Sequence, residues 1–226
     1  MPVITIARQY GAGGSIVARI VAERLGADLV DKDLIAEVAR RAGLAPSVVE
    51  AEDEQPSRLL ARLVAAFGPV AAEAGMVWQA PYPDPAYDPR PAILELTRKV
   101  ITEVARGGNA VIVGRGASAV LRDRRDALHV FLYAADSIRL ATVMARETLS
   151  DSSARRRMHE MDAKRAAYLR QVFGLDWRDP LAYTLQCNTG VLGYARTAEL
   201  ILDAAGRLAA APAPTASAAS PLEASR

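Results

Sequence analysis

The chain has 226 residues, of which 51% are hydrophobic and 24% are charged, and 28 Lys and Arg against 26 Asp and Glu give it a net charge of +2. This composition is typical of a globular domain and excludes collagen-like, coiled-coil and extended disordered proteins, while the net charge is too small for a protein that binds a nucleic-acid backbone. The single cysteine, Cys187, excludes an internal disulfide, and without a signal-type or membrane-spanning apolar run the sequence predicts a cytoplasmic protein that binds no membrane.

A strand, a glycine turn and a helix open the predicted fold. The β-branched run at residues 3–7 predicts a strand, glycines follow within residues 11–14, and an amphipathic pattern at residues 15–25 predicts a helix. A second strand is expected at residues 28–30, with another helix at about residues 34–41. This alternation favours a parallel sheet covered by helices.

The rest of the chain continues the alternation. Further strands are expected at residues 110–113, 128–133 and 184–187, and helical patterns occur at residues 44–67, 92–106, 137–147, 154–173 and 195–208. The Pro-, Tyr- and Asp-rich residues 80–91 predict a loop. Residues 209–226 are rich in Ala, Pro and Ser and bury too little apolar surface to offset their chain entropy, so we expect a disordered tail.

The most informative local pattern is the turn Gly11-Ala12-Gly13-Gly14-Ser15 between the first strand and the first helix. Backbone N–H groups at a helix N-terminus can hold phosphate oxygens, and the helix dipole favours their negative charge. Against the phosphate-binding pattern G-x-x-x-x-G-K-[ST], Gly13 and Ser15 match the second Gly and the hydroxyl residue, whereas Arg8 stands at the first Gly and Gly14 at the Lys. By itself the turn is equally compatible with a purely structural role.

Basic residues follow later strands, at the edge where open parallel sheets bind their ligands. Arg115 comes soon after the third strand, and residues 154–173 carry many Arg and Lys side chains. Such a run is usually a solvated helix face. In a protein that transfers phosphate it can instead be a lid that closes arginines over the transferred group.

Five segments occur in the order of the motifs of the cytidylate kinase-like family, a branch of the P-loop nucleoside monophosphate kinases, and resemble them. They are ITIARQYGAGG at residues 4–14, DKDLI at 31–35, VIVGRG at 111–116, DAKRAAY at 162–168 and NT at 188–189. The resemblance implies an α/β fold with a three-layer α/β/α P-loop NTPase-type core and a five-stranded parallel sheet, within a domain at residues 1–208. It also implies a helical NMP-binding insertion at about residues 34–106 and a lid at about residues 150–174.

The same resemblance implies transfer of the γ-phosphoryl group of ATP, with Mg²⁺, to CMP, dCMP or a related small phosphorylated acceptor. In these terms the loop residues Gly11, Ala12, Gly13, Gly14 and Ser15 hold the ATP phosphates, and the Ser15 hydroxyl contacts Mg²⁺. Arg115 meets the acceptor phosphate, Asp162 and Arg165 reach the nucleotides from the lid, and Asp31 and Lys32 lie on the acceptor side. The pair Asn188-Thr189 is expected to cap the segment that follows it.

Two departures from the family pattern bear on activity. Gly14 replaces the loop lysine, and Arg8 is the obvious substitute for its charge, although Arg8 equally fits a structural ion pair with Asp31 or Asp33. The segment after the second strand lacks the Tyr-Arg pair with which cytidylate kinases hold CMP, so the base stays open. Two hypotheses follow: a kinase that neutralises charge with Arg8, Arg115 and Arg165, and a non-catalytic nucleotide-binding pseudokinase. The sequence leaves the oligomeric state open.

Overall fold

In the computed structural model, residues 2–31 and 90–210 are described, together with Leu59 and Leu63. Five strands form one sheet: β1 (Val3–Arg8), β2 (Asp28–Val30), β3 (Ala110–Val113), β4 (Ala127–Tyr133) and β5 (Leu185–Asn188). Their order is β2-β3-β1-β4-β5, and every pairing is parallel. The residues that follow β1 therefore emerge at the carboxyl edge of the sheet, between the ends of β3 and β4.

Helices connect the strands and cover the sheet. Within the described residues they are α1 (Gly14–Leu25), α2 (Arg90–Gly107), α3 (Ala117–Val120), α4 (Asp136–Glu147), α5 (Asp151–Phe173) and α6 (Thr189–Ala210), with a 3-10 turn at Pro180–Ala182. Helix α6 contains non-helical backbone at Gly193, where φ is 71° and ψ is 166°.

Apolar side chains on both faces of the sheet form two buried cores. Val3 and Ile112 pack on one face with a row of α2 residues that includes Val100. Ile4 and Ile6 point to the opposite face, because side chains alternate along a strand, and they pack there with residues of α1 and α6 such as Val17, Val21 and Ile201. The predicted three-layer α/β architecture with a five-stranded parallel sheet is confirmed.

Several predicted boundaries were wrong. Helix α2 begins at Arg90, inside the predicted loop, because a proline such as Pro91 is tolerated in the first helical turn, where its missing N–H needs no partner. The short helix α3 was not predicted, since four residues carry too little periodicity. Strand β5 begins and ends one residue later than expected. Helix α6 starts at Thr189 rather than near residue 195, because Gly193 interrupts the pattern, and it continues to Ala210, two residues into the predicted tail.

Other predictions lie outside the described residues. These are the helices at about residues 34–41 and most of 44–67, the loop at residues 80–89, the side chains of Lys32 and Asp33, and the tail beyond residue 210. Leu59 and Leu63 are described, and both are buried in the core beneath α2. The limits of the insertion and of the lid stay predictions.

Candidate active site

The loop between β1 and α1 is shaped by two glycines with left-handed backbone. Gly11 has φ 82° and Gly13 has φ 73°, a region in which residues with a Cβ are strained. A Cβ on Gly13 would lie 2.1 Å from Cε1 of Tyr194, and one on Gly11 would lie 2.7 Å from the carbonyl oxygen of Arg139. Both glycines are therefore required by their backbone and by close neighbours.

Residues at the junction of β5 and α6 hold this loop by hydrogen bonds. The Thr189 hydroxyl is buried, 3.0 Å from the carbonyl oxygen of Ala12 and 3.2 Å from that of Tyr133. The Asn188 carboxamide oxygen accepts a hydrogen bond from the Gly190 N–H at 3.1 Å, which confirms the predicted capping role. The two residues thus have different roles: Asn188 caps the N-terminus of α6, and Thr189 connects α6 to the glycine loop by a hydrogen bond.

A cleft of about 410 Å³, here named the loop cleft, opens beside the glycine loop. Gly13, Gly14 and Ser15 line one side of it. Gly13 is the N-cap residue of α1 and has no side chain to accept from the N–H groups of Gly14 and Ser15, so these two groups can bind an anion, whereas the Ile16 N–H donates to the Gly13 carbonyl oxygen at 3.0 Å. The lining also includes the arginines Arg146, Arg157 and Arg165, which bring positive charge to the cleft.

Tyr10 lies at the centre of these arginines. Their guanidinium carbons are 4.9 Å (Arg146), 5.8 Å (Arg157) and 5.3 Å (Arg165) from the centroid of its ring. The Tyr10 hydroxyl donates to Glu147, and this hydrogen bond is the main cause of the lowered pKa of the Glu147 carboxyl. The Tyr10 ring therefore holds cations of α4 and α5 against the loop through cation–π contacts.

Arg8 extends from the end of β1 across the start of α1. Its Cγ lies where a side chain on Gly14 would begin, 2.5 Å from an ideal Cβ, and its Nη1 lies 2.1 Å from an ideal Cβ on Gly114. The pKa of Arg8 is lowered, first by burial and then by the charges of Arg165 and Arg115, while Asp31 raises it. Arg8 thus lies near the cations Arg115 and Arg165 and near the carboxylate of Asp31, and an ion pair between Arg8 and Asp31 stays a prediction.

A second, smaller cavity of about 50 Å³, here named the arginine cavity, lies on the other side of Arg8. Arg8, Arg115 and Arg165 line it together with Tyr168 and Trp177. Arg165 donates from Nη1 to the carbonyl oxygen of Arg8 at 2.8 Å. Arg8 and Arg165 line both the arginine cavity and the loop cleft, so the two spaces meet at these side chains.

The backbone that carries Arg115 is strained. Arg115 has φ 55° and is flanked by Gly114 at 73° and Gly116 at 72°. A Cβ on Gly116 would lie 2.4 Å from the Phe173 ring, and the Tyr168 hydroxyl donates to the Arg115 carbonyl oxygen at 3.3 Å. Left-handed backbone at a non-glycine residue costs free energy and is concentrated at functional sites. The end of α5 therefore holds Arg115 in an exposed position beside the arginine cavity.

The structure gives Asp162 a different place from the one expected for it. The side chain is buried, its Oδ1 accepts from the Tyr10 N–H at 2.8 Å, and its Oδ2 accepts from Arg139 Nη1 at 2.7 Å. Arg139 also donates to the Tyr10 carbonyl oxygen at 3.1 Å. Since both carboxylate oxygens are engaged inside the protein, Asp162 positions the glycine loop rather than facing the clefts.

Three residues of this arrangement have no clear sequence signal. Arg139 lies in the middle of α4, Tyr194 follows the kink in α6, and Arg146 lies at the end of α4. Each comes to the glycine loop across more than a hundred residues of chain, through helix packing that no local pattern specifies. Tyr10, by contrast, lies inside the first motif, between Gln9 and Gly11. Its position next to the glycine turn was the signal that could have marked it as a site residue.

Metal binding by protein groups alone finds no support among the described residues, where no group of three or more His, Cys, Asp or Glu side chains could hold an ion. Ser15 is exposed in the first turn of α1 and lines the loop cleft. None of the helices in the described parts of the chain is long and apolar enough to cross a membrane.

Comparisons with known proteins agree with this architecture. The sequence matches the cytidylate kinase-like family over residues 3–191. A shikimate kinase from Thermobifida fusca (strain YX) is 43% identical over 77 residues, which are 34% of this chain and 43% of that protein, so this chain spans less than half of that relative. An uncharacterized protein from Eubacterium ventriosum ATCC 27560 has a similar structure, with a TM-score of 0.66, 21% identity, and coverage of 91% of this chain and 99% of that one. At this identity the structural likeness shows a shared fold.

Proposed function

The chain belongs to the cytidylate kinase-like family, and we propose that it is an ATP-dependent kinase that phosphorylates a small anionic acceptor. ATP phosphates would occupy the loop cleft, and the acceptor's anionic group would occupy the arginine cavity. CMP or dCMP is the acceptor that the family suggests. The observation that carries the proposal is that Arg8 and Arg165 line both spaces.

This arrangement suits phosphoryl transfer. An oxygen of the acceptor phosphate forms a bond to the γ-phosphorus while the bond from that phosphorus to the oxygen bridging the β- and γ-phosphates breaks, and ADP leaves with that oxygen. A phosphate acceptor is already an anion, so the step needs no side chain as a general base. It needs positive charge on the transferred group, and Arg8 and Arg165 lie at the junction where that group would pass.

Mg²⁺ fits the site as a companion of ATP. Magnesium bound with nucleotides takes most of its ligands from phosphates and water and few from protein. The exposed Ser15 hydroxyl would supply one such ligand, and Mg²⁺ when bound neutralises charge on the phosphates.

A second candidate function is nucleotide binding without turnover. The observation that favours it is Gly14, which leaves the loop without the lysine of the phosphate-binding pattern. Such a protein would retain the loop cleft and bind ATP, but it would have no use for an acceptor site.

One experiment separates the two candidates. ADP formation from ATP with Mg²⁺ is measured with the purified protein and CMP, dCMP, UMP, AMP, GMP, shikimate or buffer alone, while ATP binding is measured by calorimetry. Shikimate is included because of the shikimate kinase relative. ADP formation that depends on one acceptor supports the kinase and identifies its substrate. ATP binding without any acceptor-dependent ADP supports the second candidate instead.

A further inference from the structure

Gly14 differs from Gly11 and Gly13 because its backbone conformation does not require glycine. Gly11 and Gly13 have positive φ, whereas Gly14 is the first residue of α1 and its φ lies outside the left-handed region. Helical backbone of this kind accepts L residues without strain. The backbone therefore places no demand for glycine at residue 14.

The obstacle to a side chain at residue 14 is Arg8. An ideal Cβ on Gly14 would lie 2.5 Å from Arg8 Cγ, 3.0 Å from Cβ and 3.1 Å from Cδ. The aliphatic part of Arg8 thus fills the space in which a residue-14 side chain would start. With the Arg8 side chain in this conformation, a lysine at residue 14 has no room, so Arg8 must move to admit one.

The guanidinium of Arg8 ends at a place where an anion would be stabilised. It lies beside Gly114, with Arg115 and Arg165 near enough to lower its pKa and Asp31 near enough to raise it. Gly114 must lack a side chain for this approach, because its Cβ would lie 2.1 Å from Nη1. Two glycines therefore make room for one arginine, at both ends of its side chain.

We propose that Arg8 is the phosphate-binding cation of the loop, that it contacts the terminal phosphate of ATP from strand β1, and that Gly14 lacks a side chain because Arg8 occupies its space. The binding part of this proposal stands on the geometry of Arg8. Its consequence for turnover rests on the proposed kinase function. Residues 8 and 14 are in this view alternative positions for one positive charge.

The first test removes the charge and keeps the packing. Arg8→Met retains an unbranched chain over Gly14, and calorimetry measures the dissociation constants of ATP and ADP with Mg²⁺. We expect the unaltered protein to bind ATP more tightly than ADP, and Arg8→Met to lose at least tenfold in ATP affinity with little change for ADP. Arg156→Met, an exposed arginine of α5, is the matched control and should leave both constants unchanged.

The second test moves the charge. Arg8→Ala leaves only the Cβ contact near residue 14, so the double variant Arg8→Ala/Gly14→Lys has room for a lysine. We expect it to regain a large part of the preference for ATP that Arg8→Ala loses. Gly14→Lys alone should unfold at a lower temperature than the unaltered protein, because Arg8 must be displaced.

The outcomes separate this proposal from the proposed function. An ATP preference that is absent from the unaltered protein, unchanged in Arg8→Met, or not regained in the double variant overturns the role of Arg8, whatever the activity is. A second outcome combines no acceptor-dependent ADP formation with an ATP preference that follows the charge from residue 8 to residue 14. That outcome rejects the kinase and retains Arg8 as the phosphate ligand. If Arg8→Met does not fold, Arg8→Lys replaces it, and retention of the ATP preference in Arg8→Lys with loss in Arg8→Ala is then required.

Discussion

Asp162 and Arg139 form an ion pair with only 8% and 5% of their side chains exposed, with 2.7 Å between Asp162 Oδ2 and Arg139 Nη1. The pair joins α5 to α4, and both partners also bond the backbone of Tyr10, Asp162 to its N–H and Arg139 to its carbonyl oxygen. Breaking a buried pair by removing one partner is costly, because the remaining charge stays buried.

We therefore expect Asp162→Asn to reduce the free energy of unfolding by about 3 kcal/mol. The loss should not be larger, because Arg139 Nη2 keeps its second partner, Asp136, at 2.6 Å. Urea denaturation at pH 7 measures it. The matched control is Asp151→Asn, which breaks the exposed pair with Arg155 and should leave stability nearly unchanged, since surface ion pairs contribute little. Equal free energies of unfolding for the two variants would show that the buried pair stabilises the fold no more than the exposed one.

The variant Arg115→Ala tests the proposed acceptor site separately from the proposed ATP site. Its side chain is exposed, so Arg115→Ala should leave the melting temperature almost unchanged while acceptor-dependent ADP formation falls about tenfold or more. ATP affinity should be retained, because Arg115 lines the arginine cavity and not the loop cleft. Arg122→Ala, another exposed arginine soon after β3, is the control. Full transfer activity in Arg115→Ala would remove this residue from the site.

The collision between Gly13 and Tyr194 predicts different costs for two similar substitutions. Gly13→Ala and Gly26→Ala both place a Cβ on left-handed backbone, but only the first meets a neighbour, the Tyr194 ring. Gly26→Ala should reduce the free energy of unfolding by about 1 kcal/mol, and Gly13→Ala by about 3 kcal/mol, since strain and overpacking add. Gly13→Ala should also weaken ATP binding, which Gly26→Ala should not. Chemical denaturation and calorimetry check both statements, and equal costs would show that the ring moves freely.

His129 makes stability depend on pH. The residue is 8% exposed, and its Nδ1 lies 2.8 Å from the Thr5 hydroxyl oxygen. Burial lowers the pKa of His129 below its usual value of about 6.5. Between these two values the unfolded chain binds more protons, so this contribution to stability is complete above pH 6.5 and is lost as the pH falls below it. We expect urea midpoints to decrease from pH 7.5 to pH 5.5, and to decrease less in His129→Asn; equal slopes would contradict the assignment.

The sequence was sufficient for the sheet and for the loop, because those depend on local pattern. Continuous apolar runs such as residues 110–113 predict buried parallel strands, and the glycines of residues 11–14 mark the turn after which α1 begins. The place of Asp162 was not predictable, since its partners Tyr10 and Arg139 lie 152 and 23 residues away in sequence. The reason for Gly14 was hidden in the same way, because only the folded chain shows that Arg8 lies over it.

The position of Arg8 on β1 also affects the entropy cost of binding a ligand. β1 is hydrogen-bonded to β3 on one edge and to β4 on the other, and Arg8 itself is in register with Leu132. Strand pairing fixes the backbone of Arg8, and the packing of its side chain over Gly14 and beside Gly114 restricts its rotamers before any ligand arrives. A long side chain carried by an unpaired turn must give up more freedom at each binding event. If Arg8 binds phosphate as proposed, most of that ordering cost is met during folding, and the charge is in position before the phosphate arrives.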